Sequence, residues 1–135
     1  MIRRKGVRLT RFELEIMEAL WKLGRASVRE LQEILPEHKR AAYTTIQTII
    51  HRLQLKGAVR QVRKIGNAYI FEPVISRESA HRRLIDELLD VFGGSPRPLM
   101  AHLAESGKLS LEDLKELEEI VGKESETNVS STKEK

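Results

Sequence analysis

From Arg40 to Leu53 the chain reads Arg-Ala-Ala-Tyr-Thr-Thr-Ile-Gln-Thr-Ile-Ile-His-Arg-Leu, and a basic segment of two-residue period follows at once. Laid on a helix, Ala42, Ile46, Ile49, Ile50 and Leu53 share one side. Thr44, Gln47, Thr48 and His51 share the other, with Thr45 and Arg52 on its flanks. One side requires a core. The other carries hydroxyls, an amide and an imidazole, all able to hydrogen-bond, and no carboxylate. An ordinary solvated helix face would carry Glu and Lys in (i, i+4) pairs, and this run has none. The pattern suits a helix that packs inward and turns its outer face to a polyanion with polar base edges.

The rest of the front half frames that helix. Thr10 and Glu13 form a capping box, with Leu9 placed to staple onto Leu14, and Gly24 supplies a stop. The apolar stripe of this first helix is Leu14, Met17, Leu20 and Trp21. Ser27 and Glu30 repeat the box for a short second helix with Val28, Leu31, Ile34 and Leu35 inward, ended by Pro36. A loop from Glu37 to Arg40 leads to the third helix, roughly Ala41 to Lys56, which lacks a clear N-cap and closes at Gly57. Val59–Ile65 and Ala68–Glu72 then read as strands, and Gly66-Asn67 between them as a turn suited to positive φ. Three helices and a hairpin within about seventy residues make a winged helix-turn-helix. The predicted fold class is mainly α with a small β-hairpin, followed by a helical dimerisation segment.

That back half is different. Ser76 caps a helix to about Phe92, and Gly93-Gly94 break it. Pro96-Arg97-Pro98 defer the next helix to about Leu99. Ser110 opens another, with Leu109 against Leu114 and a stop expected at Gly122. The apolar positions are Leu84, Leu88, Leu89, Phe92, Leu99, Leu103, Leu111, Leu114, Leu117 and Ile120. About forty-five residues of this kind bury too little surface to stand alone. They fold back on the winged helix or meet the same helices of a second copy. The second is favoured, because two winged helices on a two-fold axis read a palindrome. The expected domains are therefore 1–74 for DNA binding and 75–122 for dimerisation, with 123–135 a disordered polar tail.

Charge divides along the same line. Residues 1–73 hold 15 Lys/Arg against 7 Asp/Glu, whereas residues 74–135 hold 9 against 13. A basic front suits double-stranded DNA as partner. No apolar stretch approaches the ~20 residues of a membrane span, so no membrane insertion is expected, and the chain reads as cytosolic. It has no cysteine, hence neither disulfide nor thiolate metal site. His38, His51, His81 and His102 show no metal-ligand spacing, and His81 with Glu78 and Asp86 lies on a single helix, which rarely completes a site. No phosphate loop, nucleophile elbow or paired-carboxylate constellation appears. Neither enzyme activity nor a cofactor or metal is expected.

The candidate DNA-contacting residues each have a plainer alternative. Thr44, Thr45 and Thr48 touch phosphates and base edges, or one of them bonds back to its own helix. Arg52 clamps a phosphate or a guanine, or pairs with Glu30 or Glu33. Tyr43 lies on the sugar-phosphate backbone or wedges between helices. Gln47 and His51 sit on the reading face. Lys39 and Arg40 precede the helix, where phosphate neutralisation is expected. Arg63, Lys64 and Asn67 occupy the wing.

With these parts in place, the chain resembles the BlaI/MecI/CopY family of repressors. The carrying residues are Leu9-Thr10, Glu13, Ile16-Met17 and Leu20-Trp21, then Val28-Arg29-Glu30. They continue through Ala42-Tyr43-Thr44-Thr45-Ile46-Gln47-Thr48, Arg52-Leu53, Lys56-Gly57, Tyr69 and Pro73. Phe92-Gly93-Gly94-Ser95 and Leu109-Ser110 with Leu114 and Leu117 resemble the dimerisation segment. The resemblance implies a homodimeric repressor on a palindromic promoter operator, in some relatives that of β-lactamase genes and hence of antibiotic resistance. It also raises a regulatory protease as partner. Relatives relieved by cleavage carry Asn-Phe at the cut, where this chain reads Ala101-His102-Leu103. Copper-responsive relatives carry a C-terminal cysteine cluster, which is absent here. The alternative is a winged-helix protein-interaction module without DNA binding; the basic front half and the carboxylate-free face weigh against it.

Overall fold

Helix α1 (Arg11–Leu23) starts where Thr10 and Glu13 exchange hydrogen bonds, the Glu13 carboxylate accepting from the Thr10 amide at 2.8 Å and the Thr10 hydroxyl from the Glu13 amide at 3.2 Å. Gly24 ends it at φ +82°, a conformation that costs glycine no Cβ clash. This computed structural model describes residues 7–133. The same reciprocal cap, between Ser27 and Glu30, opens α2 (Val28–Ile34). The Glu37–Lys39 stretch, expected as loop, is a single 3-10 turn. Helix α3 runs over Tyr43–Leu55 with Ala42 at its N-cap and no side chain capping it. Ala42 thus stands outside the helix and is exposed, not on the inner face expected for it.

Strands β1 (Val59–Ile65) and β2 (Ala68–Pro73) pair antiparallel, with Ile65 opposite Ala68 and an irregularity between Gln61 and Arg63. Gly66 alone takes positive φ in the turn, which is the glycine-first two-residue hairpin geometry. A feature unseen in the sequence joins hairpin to helices. Ala26 and Phe71 exchange both backbone hydrogen bonds, at 2.9 and 3.0 Å, so the α1–α2 connection acts as a one-residue third strand.

The core lies between α1, α2, α3 and the hairpin. Ile16, Met17, Leu20, Leu31, Ile46, Ile50 and Leu53 are its largest fully buried side chains. The face of α1 is rotated from the expected stripe: Ile16, Met17, Ala19 and Leu20 are buried while Leu14 and Trp21 are half-buried. Glu13 is buried too, with 3% of its side chain exposed. The Lys56 ammonium reaches it from the end of α3 at 2.6 Å and also donates to the Arg8 carbonyl. Burial alone would raise the Glu13 carboxyl, but the bonds from Lys56 and from Thr10 outweigh it and hold the group below its ordinary value.

The chain divides at Leu88/Leu89 into two compact units. The first extends beyond residue 74 because α4 (Arg77–Val91) begins tied to α1: Arg77 donates to Glu18, and Ala80 is buried. Ser76 caps α4 through the Ser79 amide at 3.0 Å, and Gly93 and Gly94, both at positive φ, end it.

In the second unit, α5 (Arg97–Glu105) starts two residues before Leu99. Pro98 sits in its first turn, where the missing N–H would be unpaired in any case, so the proline admits the helix earlier than expected. Helix α6 (Leu111–Lys133) opens on a Ser110–Asp113 reciprocal cap and passes straight through Gly122. Residues 123–133, expected as a disordered tail, are therefore helical, and 134–135 lie outside the described residues. Gly122 has no positive φ. A mid-helix glycine costs only about 1 kcal/mol, and Lys115, Glu119 and Lys123 alternate in sign at (i, i+4) across it.

Among the described residues no helix is long and apolar enough to cross a membrane.

Candidate nucleic-acid interface

The site is built on the outer face of α3. Ile46, Ile49, Ile50 and Leu53 anchor the helix inward, which leaves Thr44, Thr45, Gln47, Thr48, His51 and Arg52 exposed. The side chains of Thr45 and Gln47 make no hydrogen bond among the described residues, and their donors and acceptors face outward. Thr48 differs: its hydroxyl donates to the Thr44 carbonyl at 2.9 Å, the back-bonded alternative weighed for one of the threonines. Arg52 pairs with neither Glu30 nor Glu33 among the described residues. Glu30 is held instead by its own cap at the Ser27 amide.

Tyr43, at the start of α3, is two-fifths exposed with the Arg29 guanidinium 5.6 Å over its ring. Its ring thus stands beside α2 and remains open to solvent. Arg40 is exposed, but one guanidinium nitrogen donates to the Glu33 and Leu35 carbonyls at 3.0 Å each. It thus closes the C-terminal end of α2, whose carbonyls lack helical partners. Lys39 ends the 3-10 turn just before, and its side chain lies outside the described residues.

On the hairpin, Arg63, Lys64 and Asn67 are exposed at and beside the tip. The Lys64 ammonium lies 5.1 Å over the ring of Tyr69. The hairpin's one carboxylate, Glu72, is taken up by Arg25 at 2.9 Å and by Arg60 across the strand pair. The Arg60 bond chiefly, against a smaller opposing effect of burial, holds Glu72 below its ordinary value.

Between α3 and the hairpin lies an open cleft of about 590 Å³. Tyr43, Gln47 and His51 line it from the helix, Asn67 and Tyr69 from the hairpin, and Arg29 from α2; no Asp or Glu contributes to its wall. Its guanidinium, Arg29, stands over the Tyr43 ring, and its remaining polar groups are amides, an imidazole and hydroxyls, all able to pair with phosphate or base edges. Arg29 and Tyr69 were not among the candidates read from sequence. Their signal is a cation and an aromatic on neighbouring elements, which only the fold pairs.

The apolar positions of the back half are largely uncovered. On α4, Leu84 and Leu88 are over two-fifths exposed and Leu89 is half-buried. Phe92 follows at 40% exposure. On α6, Leu111, Leu114, Leu117 and Ile120 are exposed, whereas Leu99 and Leu103 on α5 are half-buried. Among the described residues no cluster of three or more His, Asp or Glu side chains is placed to hold a metal; His81 faces Glu18 on α1, not Glu78 or Asp86.

Residues 9–123 match the family described as penicillinase repressor. The chain is 24% identical over 118 residues to the penicillinase repressor of Staphylococcus aureus, spanning 87% of this chain and 93% of that protein. It is 32% identical over 104 residues to the transcriptional regulator BlaI of Mycobacterium tuberculosis, spanning 75% of each. Among solved structures, it is similar to the solution structure of the DNA binding domain of the repressor BlaI, at 28% identity and a TM-score of 0.48, spanning 58% of this chain and 93% of that one. The chain belongs to the penicillinase repressor (BlaI/MecI/CopY) family, whose members are transcriptional repressors and not enzymes.

Proposed function

We propose that the protein is a homodimeric, sequence-specific DNA-binding repressor that occupies a palindromic promoter operator of β-lactamase or cell-wall-stress genes. The observation that carries this reading is the absence of any carboxylate from the wall of the α3–hairpin cleft, beside an outer face of α3 with unspent donors and acceptors. In this reading Thr44, Thr45, Gln47, Thr48 and His51 meet base edges in the major groove. Tyr43, Arg52, Lys39 and Arg40 meet the backbone ahead of and beside them, and Arg63, Lys64 and Asn67 follow the flanking groove. Membership of a repressor family supports it, as does the uneven charge of the two halves.

The homodimer is supported by the apolar side chains left in solvent on α4 and α6, more than an isolated chain of this size leaves uncovered without a partner. A regulatory protease acting at Ala101-His102-Leu103 would have to unwind α5, which contains all three residues.

Selection of the full-length chain on a randomised duplex library tests the reading. A palindrome should be enriched, and sedimentation should give twice the chain mass. Leu114→Asp with Leu117→Asp should return the mass to one chain and lower palindrome affinity about a hundredfold or more by loss of the linked second half-site. No enrichment at low salt would favour an interaction module instead.

A further inference from the structure

The basic face of α3 leaves unexplained a second polar cluster, on the opposite side of α1. Glu18 accepts from Arg77 Nε at 2.8 Å through one oxygen and lies 3.2 Å from His81 Nε2 through the other. Arg77 and His81 are one turn apart on α4, so a single carboxylate bridges two successive rungs of that helix. One turn further along α1, the Trp21 indole N–H donates to the Ile75 carbonyl at 3.0 Å, immediately before the α4 cap. Its ring meets the His81 imidazole edge to face, at 6.2 Å and 88°. Ala80, between the two rungs, is buried. Burial would raise the Glu18 carboxyl, but Arg77 and His81 hold it below its ordinary value, so the carboxylate is charged at neutral pH.

Contacts at residues 75, 77, 80 and 81 therefore define a direction as well as a position for the start of α4. Farther on, the helix carries the uncovered apolar side chains Leu84, Ile85 and Leu88. On its other side α1 is held to the end of α3 by the Glu13–Lys56 pair. Helix α1 is thus a rigid strut with the reading helix fixed at one place and the outgoing helix at another.

We infer that Glu18 is a positioning residue: by gripping Arg77 and His81 it sets the departure angle of α4, and with it the separation of the two reading helices that a palindrome must match. The inference rests on the homodimer reading above. A small change of angle at the root of α4 is magnified at the far face of the winged helix, which makes the grip a determinant of half-site spacing and not of base recognition.

The chain has no cysteine, so a single Glu33→Cys on the exposed face of α2 takes one spin label per chain and reports one distance per dimer. The full-length labelled protein should give a narrow distance distribution. Glu18→Ala should broaden it about twofold or more, because Arg77 and His81 lose the one carboxylate that ties both to α1. Glu18→Gln, whose amide oxygen still accepts from Arg77 and whose second amide atom keeps a hydrogen-bonding group beside His81, should restore the narrow peak. Glu18 is over one-third exposed, so its truncation leaves the winged helix folded, and binding to a duplex with one half-site should stay within about twofold of the parent while palindrome affinity falls about tenfold. An unchanged distribution in Glu18→Ala would overturn the inference while leaving the dimer intact. No dipolar signal in the parent would overturn the homodimer and the inference together.

Discussion

A Thr45→Ala/Gln47→Ala protein is expected to lose about 1–3 kcal/mol of operator affinity for each base contact removed. The loss should be confined to the selected operator. Both side chains stand on the exposed face of α3 with no partner within the protein among the described residues. Their hydrogen-bonding capacity is free for a ligand, and a glutamine amide pairs in two places with an adenine edge. Thr48 is a poorer choice, because its hydroxyl proton is committed to the Thr44 carbonyl. Affinity for a scrambled duplex at the same salt should hardly move, since the cations that meet phosphates are untouched. Fluorescence anisotropy on the two duplexes separates the cases. Equal losses on both would reduce these side chains to backbone contacts.

The second large effect concerns stability. Lys56→Met should cost about 2–3 kcal/mol. Breaking a fully enclosed ion pair costs about 3–5 kcal/mol, and the lower figure follows because the Lys56 side chain is 36% exposed and water screens part of the loss. What remains is a carboxylate in the core with its main counter-charge gone. The sign with pH is definite. Glu13 is held below its ordinary value of 4.5, so the pair stabilises the fold above that value and the contribution is lost as pH falls through the lowered one. In denaturant titrations the gap between parent and Lys56→Met should therefore be full at pH 7 and shrink once Glu13 is protonated in both. Glu13→Gln added to Lys56→Met should recover most of the gap, since a neutral amide still accepts from the Thr10 amide. A gap that persists unchanged into acid would assign the loss to the packing of the lysine stem.

Local physics made most of the winged-helix unit legible. Thr10 with Glu13 and Ser27 with Glu30 announce helix starts because the cap and its return bond lie three residues apart. The apolar period of Ile46, Ile49, Ile50 and Leu53 orients α3, and Gly66-Asn67 between alternating strands sets the hairpin. What escaped was set by distance along the chain. Nothing near Glu13 marks it for burial, because the lysine that permits it lies 43 positions away. Nothing near Arg40 marks it as a cap on α2, because that role appears only once the fold sets its guanidinium against the Glu33 and Leu35 carbonyls. The Ala26–Phe71 bridge depends on a tertiary approach that no local pattern encodes.

The second unit misled for a different reason. In the sequence Pro98 and Gly122 stand as helix breakers. A proline in a first turn breaks nothing, and one glycine is outweighed by alternating charges over the turns around it.

Helix α3 is the proposed DNA-reading element. The most direct test of that role is amide chemical-shift mapping of the full-length protein titrated with its selected operator. The largest perturbations should fall on Tyr43–Arg52, with a second group on the hairpin tip at Arg63–Asn67. Perturbations gathered on α5 and α6, with α3 silent at saturation, would contradict it.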